Sequence, residues 1–208
     1  MAETIVISLG GSLIVPDDID TEFLRKFRSL ILEEMQKGKK FLIVTGGGKI
    51  GRNYQNTLRQ IIEPSDEDLD WIGIHATRLN AVLMKILLEG QAEVLGGESP
   101  GSSTDLVAVK QAVKNNAKKI VNLSNTDYVY DSDPKANPNA KKFERISWRD
   151  YRNLIPKDWQ PGLHTPFDPR ASEMAEKEGI EVLIMNGKPL SNLKDYLSGK
   201  SFKGTTIS

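Results

Sequence analysis

Two glycine clusters stand where a backbone could come close to an anion. Gly10-Gly11-Ser12 follows the apolar run Thr4-Ile5-Val6-Ile7-Ser8-Leu9, and Gly46-Gly47-Gly48 follows Phe41-Leu42-Ile43-Val44. Each cluster ends a β-branched run that reads as a buried strand, and each precedes a helical pattern. Without a Cβ, glycine lets the chain approach a ligand closely. A helix N-terminus just beyond it offers unpaired N–H groups to negative charge. Two such turns in one small domain imply a ligand with several phosphates.

A third glycine-rich turn, Gly96-Gly97-Glu98-Ser99-Pro100-Gly101-Ser102-Ser103-Thr104-Asp105, leads into a helical pattern of Leu106, Val109, Ala112 and Val113. Taken alone, Ser103 or Thr104 reads as an N-cap. As the third such turn at a strand's C-terminal end, it reads better as another anion cradle, because ligands of open α/β sheets bind on that edge. A fourth segment, from Asn122 through Ser124-Asn125-Thr126-Asp127-Tyr128-Val129-Tyr130 to Asp133-Pro134, combines small polar groups, two tyrosines and three carboxylates. A tyrosine can stack on a nucleobase, and a carboxylate can hold ribose or Mg²⁺. The same composition also makes a plain polar turn.

Other phosphate motifs fit less well. Gly46-Gly47-Gly48-Lys49-Ile50-Gly51 matches G-x-G-x-x-G, with acidic residues 66–70 about twenty positions on, so a dinucleotide-binding oxidoreductase remains an alternative. Against it, triple glycine satisfies many patterns, and the turn follows the second strand rather than the first. A P-loop fails, because Arg52 and Asn53 stand where Lys and Ser/Thr belong.

The elements that must position these turns alternate along the chain. Strands are expected at Thr4–Leu9, 41–45, 92–95, 119–123 and 181–185, with a last edge at 204–207. Helices are expected at 20–37, 49–61, 69–88, 104–115, 169–178 and 189–198. Such alternation implies a parallel sheet with helices on both faces. The helix 69–88 carries two apolar stripes, one of Ile72, Ala76, Leu79, Leu83 and Ile86, the other of Trp71, Ile74, Ala81 and Leu88. It is either a central core helix or one that packs on the sheet and on a second subunit. The segment 131–169, with its prolines and Pro161-Gly162, reads as irregular loops around a short helix near 148–154.

Composition narrows the chemistry further. The 208 residues suit one large domain or two compact lobes. Lys+Arg and Asp+Glu both number 28, so net charge points to neither nucleic acid nor membrane. The absence of cysteine excludes disulfides and thiolate chemistry, and His75 and His164 alone cannot build a multi-histidine site. The start, Met1-Ala2-Glu3-Thr4, does not read as a signal peptide, and no apolar run is long enough to span a bilayer. A cytoplasmic location is the expectation.

Four segments in this order resemble the amino-acid kinase superfamily: Leu9-Gly10-Gly11-Ser12, Val44-Thr45-Gly46-Gly47-Gly48, Pro100 to Asp105, and Asn125-Thr126-Asp127 through Val129-Tyr130 to Asp133-Pro134. Within it the chain is most similar to archaeal-type uridylate kinases. Arg52 and Tyr54 fit that group, as do Asp70-Trp71-Ile72-Gly73-Ile74, Thr77-Arg78-Leu79-Asn80-Ala81, Phe167-Asp168-Pro169 and the ending Gly204-Thr205-Thr206-Ile207. The resemblance covers nearly the whole chain. It implies a three-layer αβα sandwich with a mainly parallel central sheet, an acceptor-side lobe of about 1–115 and a nucleotide-side lobe of about 116–208. It also implies a homo-oligomer associating through helix 69–88. The implied reaction moves the ATP γ-phosphate to UMP, with Mg²⁺ carried by ATP rather than by protein ligands. The alternative on the same fold is a nucleotide-binding regulatory or storage protein with weak or no turnover.

Carried over by position, the resemblance assigns Gly10, Gly11, Ser12, Gly48, Arg52, Ser124, Asn125, Tyr130 and Asp133 to ATP. It assigns Gly47, Asp70, Ser99, Pro100, Gly101, Ser102, Ser103, Thr104 and Asp105 to the acceptor, and Arg52, Asp105 and Arg170 to catalysis. Ser8 and Glu173 stand where the family usually has lysines, so either Arg170, Lys49 or Arg52 is expected to supply the cation, or catalysis is expected to be weak. About twenty residues of the usual segment between helix 69–88 and the third loop are missing, and Tyr128 replaces a usual glycine.

Overall fold

The structure is a computed structural model that describes residues 4–158 and 165–208. The Pro161-Gly162 turn, His164 and the first three residues lie outside the described residues. In chain order the elements are β1 (Thr4–Leu9), α1 (Gly11–Ile14), α2 (Thr21–Gln36), β2 (Lys40–Thr45), α3 (Gly48–Ile61), α4 (Asp66–Leu87), β3 (Glu93–Leu95), α5 (Thr104–Lys114) and β4 (Lys119–Ser124). They continue with β5 (Val129–Tyr130), β6 (Lys142–Phe143), β7 (Arg145–Ile146), α6 (Trp148–Leu154), α7 (Pro169–Lys177), β8 (Glu181–Asn186), α8 (Ser191–Leu197) and β9 (Thr205–Ile207).

The β-branched runs form strands buried on both faces, as parallel sheets require. The main sheet has seven strands in the order β3-β2-β1-β4-β8-β9-β7. Alternate side chains enter two cores. Ile7, Leu9, Ile43, Leu123 and Met185 pack with α1, α2, α4 and α8. Val6, Leu42, Val44, Ile120 and Ile184 pack with α5, α6 and α7. The result is three layers.

Register decides where the loops emerge. Leu9 is level with Thr45 and Leu123, and Leu123 with Met185. The turns after β1, β2, β4 and β8 therefore leave the sheet on one edge. From β1 the chain runs outward through β2 and β3, then returns to build β4 and β8 on the other side. The switch between β1 and β4 is where ligands of such sheets bind. The first glycine turn sits there, with Gly10 N donating to Leu123 O at 2.7 Å.

Capping explains the helix starts. Asp20 accepts from Phe23 N, and Asp168 accepts from Ala171 N with Pro169 at the first helical position. Ser65 and Asp68 form a capping box that starts α4 at Asp66, three residues before the apolar stripe predicts.

Two expectations need correction. The strand at 205–207 is not an edge: it lies between β8 and β7, antiparallel to β8 and parallel to β7. The segment 131–169 is less irregular than its prolines suggest, because β5 and β6 form a small antiparallel pair and β7 closes the main sheet. Strands two residues long are too short for periodicity to show. Helix α4 buries Ile74, Ala76 and Ala81 and keeps Ile72 and Leu83 half-buried, whereas Leu79 and Ile86 are 58% and 70% exposed. Its outer stripe is not covered by the described residues of this chain. Among those residues, no helix is long and apolar enough to cross a membrane.

Candidate active site

The two glycine clusters meet each other. A Cβ on Gly11 would lie 2.0 Å from Gly48 N, one on Gly46 would lie 2.5 Å from Gly11 N, and one on Gly48 (φ +67) would lie 2.5 Å from Gly11 O. The turns are in backbone contact, and only glycine fits. Helix α4 braces the second turn from below: buried Asn80 donates from Nδ2 to Gly46 O at 2.8 Å and Gly47 O at 3.2 Å. Thr77 links it to the third loop, since Thr45 Oγ1 donates to Thr77 O at 2.9 Å and Thr77 Oγ1 accepts from Gly97 N at 2.6 Å.

A cavity of about 350 Å³ opens at this junction. Of the sequence-predicted residues, Gly11, Ser12, Gly47, Gly48, Arg52, Asp70, Ser102, Ser103 and Thr104 line it. It thus joins both glycine turns, one cation, one carboxylate and the third loop. The Ser102 hydroxyl is buried with no hydrogen-bond partner among the described residues, as expected of a group that awaits a ligand. Sequence reasoning missed Gly51, Gln55, Gly73, Ile74, Thr77 and Gly97 as lining groups. Spacing could have found three of them: Gly73, Ile74 and Thr77 follow Asp70 by three, four and seven positions, which is one helix face.

Other predicted residues stand behind this wall. Gly10 is turned back onto Leu123. Gly101 N donates to Asp70 Oδ2 at 2.7 Å, and Gly101 O accepts from Arg170 at 2.8 Å. Arg170 thus grips the outer side of the third loop from the first turn of α7. Ser99, Pro100 and Gly101 shape that loop without lining the cavity. Burial raises the Asp70 carboxyl above its usual range, and the Gly101 N–H and Arg170 charge oppose that shift.

Asp105 is half-buried. Its carboxylate accepts from Ser8 Oγ at 2.9 Å, Asn122 Nδ2 at 3.2 Å and Asp168 N at 3.2 Å. Ser8 and Asn122 are register neighbours on the sheet face that α5 and α7 cover. Burial, with the charge of Asp168 beside it, pushes Asp105 up to about 7, against the lowering effect of Ser8. Asp105 thereby ties β1, β4 and the start of α7 together beneath the cavity.

A second cavity, of about 820 Å³, lies past the C-terminal ends of β4 and β8. It is lined by Asp127, Tyr128, Lys142, Asn186, Lys188, Pro189, Ser191, Asn192, Asp195, Ser201, Phe202 and Lys203. Ser124, Asn125, Tyr130 and Asp133 are near it in sequence but are not lining groups. Ser124 Oγ accepts from Thr126 N, and exposed Asp133 accepts from Lys135 N. Gly187, which follows β8, packs against Leu13 of α1 and donates to Ser124 O at 2.9 Å.

The family model for the amino acid kinase family matches residues 3–99 and 94–186. The chain belongs to that family. It is 34% identical to a uridylate kinase of Thermoplasma acidophilum, covering 100% of this chain and 97% of the relative. The solved uridylate kinase of Archaeoglobus fulgidus superposes with a TM-score of 0.80 at 29% identity, over 98% of this chain and 99% of that one. A UMP kinase of Ureaplasma parvum, at 23% identity and TM-score 0.82 over 100% of this chain and 99% of that one, supports the fold.

Against the family pattern, the first missing lysine is replaced by a neutral contact: Ser8 is buried and bonded to Asp105. Glu173 is exposed on α7. Lys49 is paired with Asp17. Arg52, one turn into α3, is the predicted cation that lines the cavity. The alignment with the Thermoplasma relative runs 227 positions against 208 residues, so that relative carries residues this chain lacks. The chain passes from α4 to the three-residue β3 in a short turn, and β3 is the sheet edge.

Proposed function

We propose that this chain transfers the γ-phosphate of ATP to UMP, giving UDP. The observation that carries the reading is the 350 Å³ cavity in which two touching glycine turns, Arg52, Asp70 and the 102–104 hydroxyls converge. Phosphoryl transfer asks mainly for positioning and charge neutralisation. Backbone N–H groups of Gly11, Ser12 and Gly48 suit triphosphate oxygens, as does the start of α3. Asp70 and the third loop suit a nucleoside monophosphate, with the carboxylate accepting from hydroxyl or imide N–H and the Ser and Thr hydroxyls meeting phosphate. Arg52 stands between the two and neutralises charge that grows on the moving group. Asp105 is a positioning residue, and Arg170 holds the acceptor loop.

Donor phosphates then run from the first turn toward the 820 Å³ cavity, with residues 116–208 holding the nucleoside and residues 1–115 the acceptor. Among the described residues no group of three His, Asp or Glu side chains could hold a metal. The hydroxyl and N–H donors of the cradle fit phosphate oxygens, so Mg²⁺ belongs on the triphosphate, where it neutralises charge. Purified protein with ATP, Mg²⁺ and a panel of nucleoside monophosphates should turn over UMP fastest. Equal or faster turnover of AMP, GMP and CMP would refute the acceptor assignment.

The uncovered stripe of α4 fits association with a second copy. Leu79, Val82 and Ile86 are 58, 55 and 70% exposed and lie on one helix face, an apolar patch of the kind that marks an interface. Ile86→Lys should shift the mass measured by light scattering to that of the monomer. An unchanged mass would place any interface elsewhere.

A further inference from the structure

We infer that Tyr128 is the stacking platform for the donor's purine, a role that rests on the donor reading above. The ring lines the 820 Å³ cavity, which lies within the size range of ligand sites. It is half-buried and held in place rather than loose: Tyr130 meets it edge-on, with centroids 6.3 Å apart and planes at 84°. The backbone of its neighbour Val129 donates to Thr205 Oγ1 at 2.8 Å, which anchors the loop to β9. A preset aromatic wall at the same C-terminal sheet edge as the phosphate cradle is the arrangement that an extended nucleotide needs.

The face of the ring already attracts a partner. The Lys142 ammonium lies 4.5 Å from its centroid and also bonds Glu144 at 3.1 Å. Both lysine and glutamate side chains are about half exposed or more. An ammonium–ring contact in water is weaker than a base stacked on an aromatic ring. An arriving base can therefore take the ring while Lys142 stays with Glu144. Phe202 also lines the cavity and is engaged edge-on by Tyr196 at 5.6 Å, so the cavity presents two aromatic side chains. Stacking reads π area rather than hydrogen-bond pattern. The platform should favour purine over pyrimidine donors without separating ATP from GTP.

The test is binding of 1,N6-ethenoadenosine triphosphate without acceptor, read by its fluorescence, on the full chain. Wild type should bind it with a change in emission. Tyr128→Ala should weaken binding about tenfold and lose that change, Tyr128→Phe should stay within about twofold, and UMP affinity should be unaltered in both. Tyr128→Leu serves if the alanine variant does not fold. Wild-type affinity and emission in Tyr128→Ala would overturn the platform while leaving the donor site standing. No binding of ATP to the wild-type protein would overturn both.

Discussion

Replacing Arg52 with alanine should lower kcat for phosphoryl transfer about 10²–10³-fold, the cost of removing one preorganised charge-stabilising donor. Three cations could serve, and their partners separate them. Arg170 spends a donor on Gly101 O and stands outside the cavity lining. Lys49 is paired with Asp17. Arg52 lines the cavity on the turn of α3 that follows the second glycine cluster. With Ser8 and Glu173 in place of lysines, the reaction leans on it more heavily. Arg170→Ala should behave differently. It frees the third loop, so KM for UMP should rise about tenfold, the effect of losing one charge-assisted hydrogen bond, with a smaller change in kcat. Initial rates over an ATP–UMP grid separate the two. An Arg52→Ala enzyme within twofold of wild type would place the transferring cation elsewhere.

Gly11→Ala should abolish the cradle. Its Cβ would sit 2.0 Å from Gly48 N and 2.6 Å from Gly46 C, both backbone atoms that cannot swing aside. Relief requires moving the α1 turn from the α3 turn, which separates the groups that should hold the triphosphate. Small-to-large changes in packed sites cost about 1–3 kcal/mol even where side chains can yield, and here nothing yields cheaply. ATP affinity should fall by at least about 100-fold in calorimetry. Gly38→Ala is the control: its φ of +93 carries strain, but nothing lies within 4 Å. It should cost only about 1–2 kcal/mol of stability and leave ATP binding intact. If Gly11→Ala bound ATP as wild type does, the touching turns would not be the phosphate cradle.

Much of the layout was legible because buried parallel strands and glycine turns are local signals. The Thr4–Leu9 strand, the helix starts at Asp20 and Thr104, and the convergence of Gly11, Gly48 and Ser102–Thr104 follow from runs, caps and strand-end position. What was not legible depends on distant partners. Nothing near Asp105 in sequence says that Ser8, Asn122 and Asp168 N, all from other elements, fill its oxygens. That contact makes it a brace between elements, outside the cavity lining. Nor does the pair Lys142-Phe143 announce a strand, since β5 and β6 are two residues each and gain their partners only across a loop. The apolar stripe of α4 was visible, but whether Leu79 and Ile86 face core or solvent depends on what packs over them.

A cradle with Ser8 and Glu173 at the two lysine positions should still move phosphate to UMP. The direct measurement is transfer of the terminal label of γ-³²P-ATP to UMP by the purified wild-type chain with Mg²⁺. Labelled UDP should form, at a rate that Arg52→Ala reduces about 10²–10³-fold. Tight binding of ATP and UMP with no labelled UDP would contradict it.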